Sequence, residues 1–224
     1  SISRMIFMGV LAYLQTKKER KLLEDFKGIP NDLQVSIIVP AYNEEVNAIR
    51  TVESLLSQDY PNINIVFVDD GSKDHTFENV VKAFEGNPRV KVFTKQNGGK
   101  ASALNYGISK TDAEFIVCID ADTQLKTDAV SQLMNTFYLA GKPSEVGAVA
   151  GNVKVGNEIN MITKWQSIEY ITSQNFDRRA FSLVNCITVI PGALGAFRRK
   201  AVIEAGGFTI APGRHPGSTA PKRQ

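Results

Sequence analysis

The sequence predicts an α/β protein with a mostly parallel central sheet and helices on both of its faces. Three observations predict it. From residue 33 onward, short β-branched apolar runs alternate with stretches whose apolar residues recur at helical spacing. The runs are apolar almost without interruption, as in strands covered on both sides. The residues just past the first, second and fourth runs are polar and rich in carboxylates, and ligands bind parallel sheets at that edge.

The first run, VSIIV at 35–39, reads as a buried strand ended by Pro40. Asn43 then caps an expected helix that opens with Glu44 and Glu45 and turns Ala48, Ile49, Val52, Leu55 and Leu56 to one face. INIVFV at 63–68 is the second strand. Phe77, Val80, Val81 and Phe84 mark a helix over 76–84 that Gly86 ends. VKVF at 90–93 is the third strand, 100–109 a short helix and EFIVCI at 114–119 the fourth strand. Val130, Leu133, Met134 and Phe137 mark a helix that stops near Gly141. Further on, 146–155 reads as a strand, 158–184 as helical, and 186–199 as two strands broken at Pro191-Gly192. A last short helix from Lys200 ends at Gly206-Gly207.

Composition narrows the function classes. The chain has 224 residues, 43% apolar and 22% charged, which is ordinary globular usage. Lys and Arg number 26 against 23 Asp and Glu, a net charge of +3, too balanced to imply nucleic acid. Arg214, Lys222 and Arg223, beyond the last acid Glu204, account for the excess. The two cysteines, Cys118 and Cys186, sit in apolar runs and suit buried free thiols. With His75 and His215 the only histidines, acid–base or metal work falls to carboxylates.

In IVCIDAD, Asp120 and Asp122 lie two apart, which on extended backbone turns both to one face. Two such carboxylates repel unless a cation sits between them, and oxygen ligands suit Mg²⁺ or Mn²⁺. A solvated turn uses the same residues. VFVDDGS offers Asp69 or Asp70 to a base or ribose, or else an Asx turn with Gly71. In KQNGGKASALN, Gly98, Gly99 and Lys100 open a helix whose N–H groups and dipole favour a diphosphate. The glycines equally suit a tight turn. Tyr42 suits stacking on a planar base or packing on the helix after it. Neither a P-loop nor a G-x-G-x-x-G is present. Together these parts describe a site for a nucleoside diphosphate joined to a transferable group, since a metal-bound diphosphate leaves readily.

The ordered motifs VSIIVPAYNEE, VDDGSKDHT, NGGKASALNYGI and CIDADT resemble those of the family 2 glycosyltransferases, inverting enzymes with the GT-A fold. A looser likeness continues through IPGALGAFRRKAVIEAGGF to residue 208. The set looks most like bacterial membrane polysaccharide synthases of the poly-β-1,6-N-acetylglucosamine type. The resemblance implies a GT-A domain over 33–208 that binds a UDP-sugar, UDP-N-acetylglucosamine, with Mg²⁺ or Mn²⁺. It implies inverting transfer to a growing polysaccharide at the cytoplasmic face of the bacterial inner membrane. By the same likeness Pro40 and Tyr42 line a uracil pocket, with Glu44 near the nucleotide. Asp70 contacts uracil, and Gly99 and Lys100 lie by the nucleotide. Asp120 and Asp122 hold ribose, diphosphate and metal, and Pro191, Gly192 and Ala193 face the acceptor.

The departures bear on catalysis. Inverting transfer needs a base for the acceptor hydroxyl. In the family that base is an Asp soon after the segment matching Gly206-Gly207-Phe208, yet no acid follows Glu204. The Q-x-x-R-W motif of processive members is absent too, since the sole Trp165 follows Lys164. The domain therefore reads as a donor-binding part with an incomplete acceptor part. Two other readings are a sugar-phosphate nucleotidyltransferase, which PAYNEE disfavours for want of a Gly-rich basic loop, and a non-catalytic nucleotide-sugar binding module. Before the domain, 1–32 holds MIFMGVLAYL at 5–14 with a basic flank, either the remnant of a transmembrane helix or an amphipathic leader. After it, 209–224 reads as a disordered tail.

Overall fold

The computed structural model describes residues 33–139, 146–151 and 194–209, with helical positions scattered between Phe7 and Lys21. The chain divides into two compact units, residues 1–29 with 133–195 and residues 30–132 with 196–224.

The second unit carries the alternation that the sequence predicts. In order come β1 (Val35–Ala41), α1 (Ala48–Leu56), β2 (Ile63–Asp69), α2 (Thr76–Ala83), β3 (Val90–Thr94), α3 (Lys100–Ser109) and β4 (Phe115–Ile119). α4 (Ala129–Leu139) begins in this unit, and α5 (Arg199–Glu204) follows β6 (Leu194–Arg198). The strand order is β3-β2-β1-β4-β6, with β1 parallel to both β2 and β4, and β2 parallel to β3. The order turns back at β1, so the gap beyond the C-terminal ends of β1 and β4 is the switch point of the sheet.

β1, β2 and β4 are buried nearly throughout, which is why their sequences are apolar without alternation. One core cluster joins Ile38, Val66, Val68, Ile116 and Cys118 of the sheet to Ala103, Leu104 and Ile108 of α3 and Val202 of α5. Full burial of each Ile, Leu or Val side chain contributes roughly 1.5–3 kcal/mol. α3 seats tightly because of Gly107, where an added Cβ would lie 2.5 Å from Ile38 Cγ2 and 3.1 Å from Val68 Cγ2. The buried Ser36 of β1 is satisfied, its hydroxyl donating to Asn64 Oδ1 at 2.6 Å and lying 2.5 Å from Thr111 Oγ1.

Several expectations are corrected. β1 does not end at Pro40 but runs to Ala41, paired with β2 throughout, while its ladder with β4 stops at Ile38↔Cys118. Pro40 thus lies past the β4 ladder, where a residue without N–H is tolerated. Asn43 caps no helix. It adopts φ 56°, a left-handed conformation that Asn tolerates, and α1 starts only at Ala48. Val81 is exposed, so the buried stripe of α2 is narrower than its spacing suggests. β3 is half-buried because it is the edge of the sheet.

In the other unit, β5 (Ala148–Ala150) is short, and the Gly151 N–H donates to Leu194 O at 3.1 Å. The predicted helix at 158–184, Trp165, Cys186 and the break at Pro191-Gly192 lie outside the described residues, as does the tail beyond residue 209. Near the N-terminus Phe7, Val10, Tyr13 and Leu14 are exposed. Among the described residues no helix is long and apolar enough to cross a membrane.

Candidate donor-binding site

A cavity of about 600 Å³ opens at the switch point, a size that suits a small-molecule ligand. Pro40, Ala41, Tyr42 and Glu44 come to it from the end of β1, and Asp70 from the end of β2. Asn97, Gly98, Gly99, Lys100 and Ala103 come from the start of α3, and Asp120, Ala121 and Asp122 from the end of β4. All eight predicted donor and metal residues therefore line one cavity. Pro191, Gly192 and Ala193 lie outside the described residues.

Tyr42, 42% exposed, is held in place by a polar clamp between the loops after β1 and β2. The Asn43 N–H donates to Ser72 Oγ at 2.9 Å, and the Lys73 N–H returns a bond to Asn43 Oδ1 at 2.8 Å. The Glu44 N–H donates to Thr76 Oγ1 at 2.8 Å, and the His75 N–H donates to Glu45 Oε2 at 3.1 Å. Asp74 fastens the far end, accepting from the Thr76 hydroxyl at 2.6 Å and the Glu45 N–H at 3.3 Å. Burial works to raise its pKa, but those bonds outweigh burial and hold it below the usual 3.8.

The adjacent acids Asp69 and Asp70 have different duties. Asp69 forms the Asx turn, accepting from the N–H groups of Gly71 and Ser72 at 3.2 Å and from Thr94 Oγ1 at 2.9 Å. Asp70 turns into the cavity wall. It accepts from Lys95 Nζ at 2.7 Å, the Gly98 N–H at 3.1 Å and the Gly99 N–H at 2.7 Å. One expectation changes here. The glycine amides offered to a diphosphate are already bound by a carboxylate of the protein. Asp70 spends most of its acceptor sites pinning the 95–100 segment while still lining the cavity. Gly99 has φ 82° and ψ 166°, a region open essentially to glycine alone, so it also supplies the turn into α3.

Asp120 and Asp122 do not share one face of a strand, contrary to expectation. β4 ends at Ile119, and residues 120–123 form a turn closed by the Thr123 N–H on Asp120 O at 3.0 Å. Asp favours the first position of such a turn. The turn is anchored from below by the buried Thr51, whose hydroxyl donates to Ala121 O at 2.7 Å. Both carboxylates still line the cavity, and Asp120 pairs with Lys100 Nζ. Beneath them, burial pushes the Cys118 thiol up to about 12, with Lys100 lowering and Asp120 raising it. Cys118 is therefore an inert core residue.

Asn97, Ala103 and Ala121 also line the cavity without being singled out by the sequence, and Lys95 was missed as the partner of Asp70. No local pattern marks Lys95, since its partner lies 25 residues away in the chain.

Comparison with known proteins accords with this geometry. The family model for glycosyl transferase family 2 matches residues 36–206. A poly-beta-1,6-N-acetyl-D-glucosamine synthase of Staphylococcus epidermidis is 35% identical over 173 residues, 77% of this chain and 41% of that protein. The synthase of the same name from Staphylococcus aureus strain COL is 30% identical over 200 residues, 89% of this chain and 46% of that protein. The chain thus spans less than half the length of these relatives. A mannosyltransferase from Pyrobaculum calidifontis, solved with GDP-Man and Mn²⁺, superposes with a TM-score of 0.61 over 90% of this chain and 59% of its own. At 23% identity that likeness shows the GT-A fold alone. The strands and loops that build the cavity lie within the matched stretch, which runs from the second residue of β1 to the glycine past α5, and the chain belongs to glycosyl transferase family 2.

Proposed function

We propose that this chain forms the donor site of an inverting glycosyltransferase that builds a polysaccharide. It binds a UDP-sugar, UDP-N-acetylglucosamine, together with Mg²⁺ or Mn²⁺. The observation that carries this reading is the single cavity in which the ends of β1, β2 and β4 meet the start of α3. The names of the synthases of similar sequence supply the sugar and the polymer.

Charge makes the metal necessary. Glu44, Asp70, Asp120 and Asp122 line the cavity; Lys95 offsets Asp70 and Lys100 offsets Asp120, which leaves the charges of Glu44 and Asp122. A bare diphosphate would be repelled there. Asp120 and Asp122 would hold a divalent ion through hard oxygen ligands, which fits Mg²⁺ or Mn²⁺. Among the described residues no group of three or more His, Cys, Asp or Glu could hold a metal. Diphosphate oxygens and water would complete the shell, as is usual for Mg²⁺. When bound, such an ion neutralises the charge that develops on the departing diphosphate. Tyr42 offers an exposed ring beside Pro40 for the base, and Lys100 adds a point charge for the diphosphate. Glu204, the last carboxylate, pairs with Lys200 at 3.8 Å and is not among the cavity residues, so no catalytic base is assigned.

A thermal-shift panel with UDP and GDP, each with and without Mn²⁺, tests the reading. UDP with Mn²⁺ at 100 times Kd should add about 2.7 kcal/mol of stability. UDP alone and GDP with Mn²⁺ should add much less. Equal shifts with or without the metal would sink the proposal. Pyrophosphate release from UTP and a sugar phosphate would move it to a nucleotidyltransferase.

A further inference from the structure

Two lysines bracket the segment Lys95–Lys100, and each neutralises one carboxylate of the cavity. They do so in unlike settings. Lys95 and Asp70 meet at 2.7 Å with side chains 18% and 4% exposed. Asp70 also holds the Gly98 and Gly99 amides, and Lys95 Nζ also donates to Gln96 O at 2.5 Å. Parting that pair would strand a buried charge, so it is permanent. Lys100 and Asp120 pair with side chains 45% and 33% exposed. Water screens them, and an exposed pair is readily exchanged.

We infer that Lys100 is a resident counter-ion on Asp120, which an arriving divalent cation displaces, releasing the ammonium to the diphosphate. The inference rests on the donor-site reading above. Asp120 is one of the two carboxylates proposed to hold the metal. An ammonium and a divalent ion in contact with one carboxylate repel each other, so the stronger charge takes it. Lys100 is the first residue of α3 and lines the same cavity, so its released charge stays within it. Metal binding thereby prepares nucleotide binding, and by linkage the nucleotide strengthens metal binding to the same degree.

Mn²⁺ titrations followed by electron paramagnetic resonance, without nucleotide, test the exchange on wild type, Lys100→Met and Lys100→Arg. Lys100→Met should bind Mn²⁺ about two- to five-fold tighter, the weight of an exposed ion pair. Lys100→Arg keeps the charge and should match wild type. In calorimetric titrations with UDP, the gain in affinity on adding Mn²⁺ should be smaller in Lys100→Met than in wild type. Unchanged or weaker Mn²⁺ binding by Lys100→Met, while wild type binds both Mn²⁺ and UDP, would overturn the exchange. Wild type that binds neither would overturn the donor-site reading instead.

Discussion

Replacing Asp120 and Asp122 together with alanine should abolish metal-dependent UDP binding and leave the fold standing. The two parts of that expectation have separate causes. The turn that carries both acids is held by backbone contacts, Thr123 N–H to Asp120 O and the Thr51 hydroxyl to Ala121 O. Neither contact uses an Asp side chain. The one firm side-chain partner lost is Lys100, in an exposed pair worth less than about 1 kcal/mol. The melting temperature should therefore move little. Binding loses both proposed metal ligands at once, and the freed Lys100 offers the diphosphate one positive charge where a divalent ion would offer two. Affinity for UDP with Mn²⁺ should fall at least about 100-fold, some 2.7 kcal/mol. Calorimetry on wild type and the double variant decides it, and equal affinity would remove the metal from the account.

Asp69→Ala should show the reverse pattern, with a large loss of stability. Asp69 is 2% exposed and accepts from Gly71, Ser72 and Thr94. Alanine would deprive two half-buried turn amides and the hydroxyl of the exposed Thr94 of their acceptor, where a fully buried donor left so would cost about 1–3 kcal/mol. Partial access of water to the turn lowers the sum, so about 3 kcal/mol is expected, or roughly 6–12 °C in Tm for a chain of this size. Asp69→Asn keeps one acceptor oxygen and should retain part of it. Thermal unfolding of the two variants checks the order. A Tm for Asp69→Ala within about 2 °C of wild type would show that the turn does not depend on that carboxylate.

This contrast also shows what the sequence could and could not disclose. The strands were legible because burial on both faces leaves an unbroken apolar record, and α3 was placed to the residue by the glycines before it. The switch point followed from strand–helix alternation alone, and with it the choice of segments that line the cavity. What stayed hidden was how the polar residues share their bonds. Asp69 and Asp70 are neighbours with the same chemistry, and only coordinates separate the turn former from the residue that pins the 95–100 segment. Asn43 resembled a helix cap because its side chain suits caps and left-handed turns alike. Asp120 and Asp122 both line the cavity, but from a turn and not from extended backbone, since the strand stops at Ile119. Lys95 was missed because pairing across 25 residues leaves no local pattern.

The most direct measurement is a crystal structure grown with UDP and Mn²⁺, with anomalous differences recorded for manganese. One manganese peak is expected within coordination distance of Asp120 or Asp122, with diphosphate oxygens on the same ion and the uracil ring beside Tyr42. A manganese ion elsewhere, or a nucleotide bound with its diphosphate turned away from those two carboxylates, would contradict the proposed site.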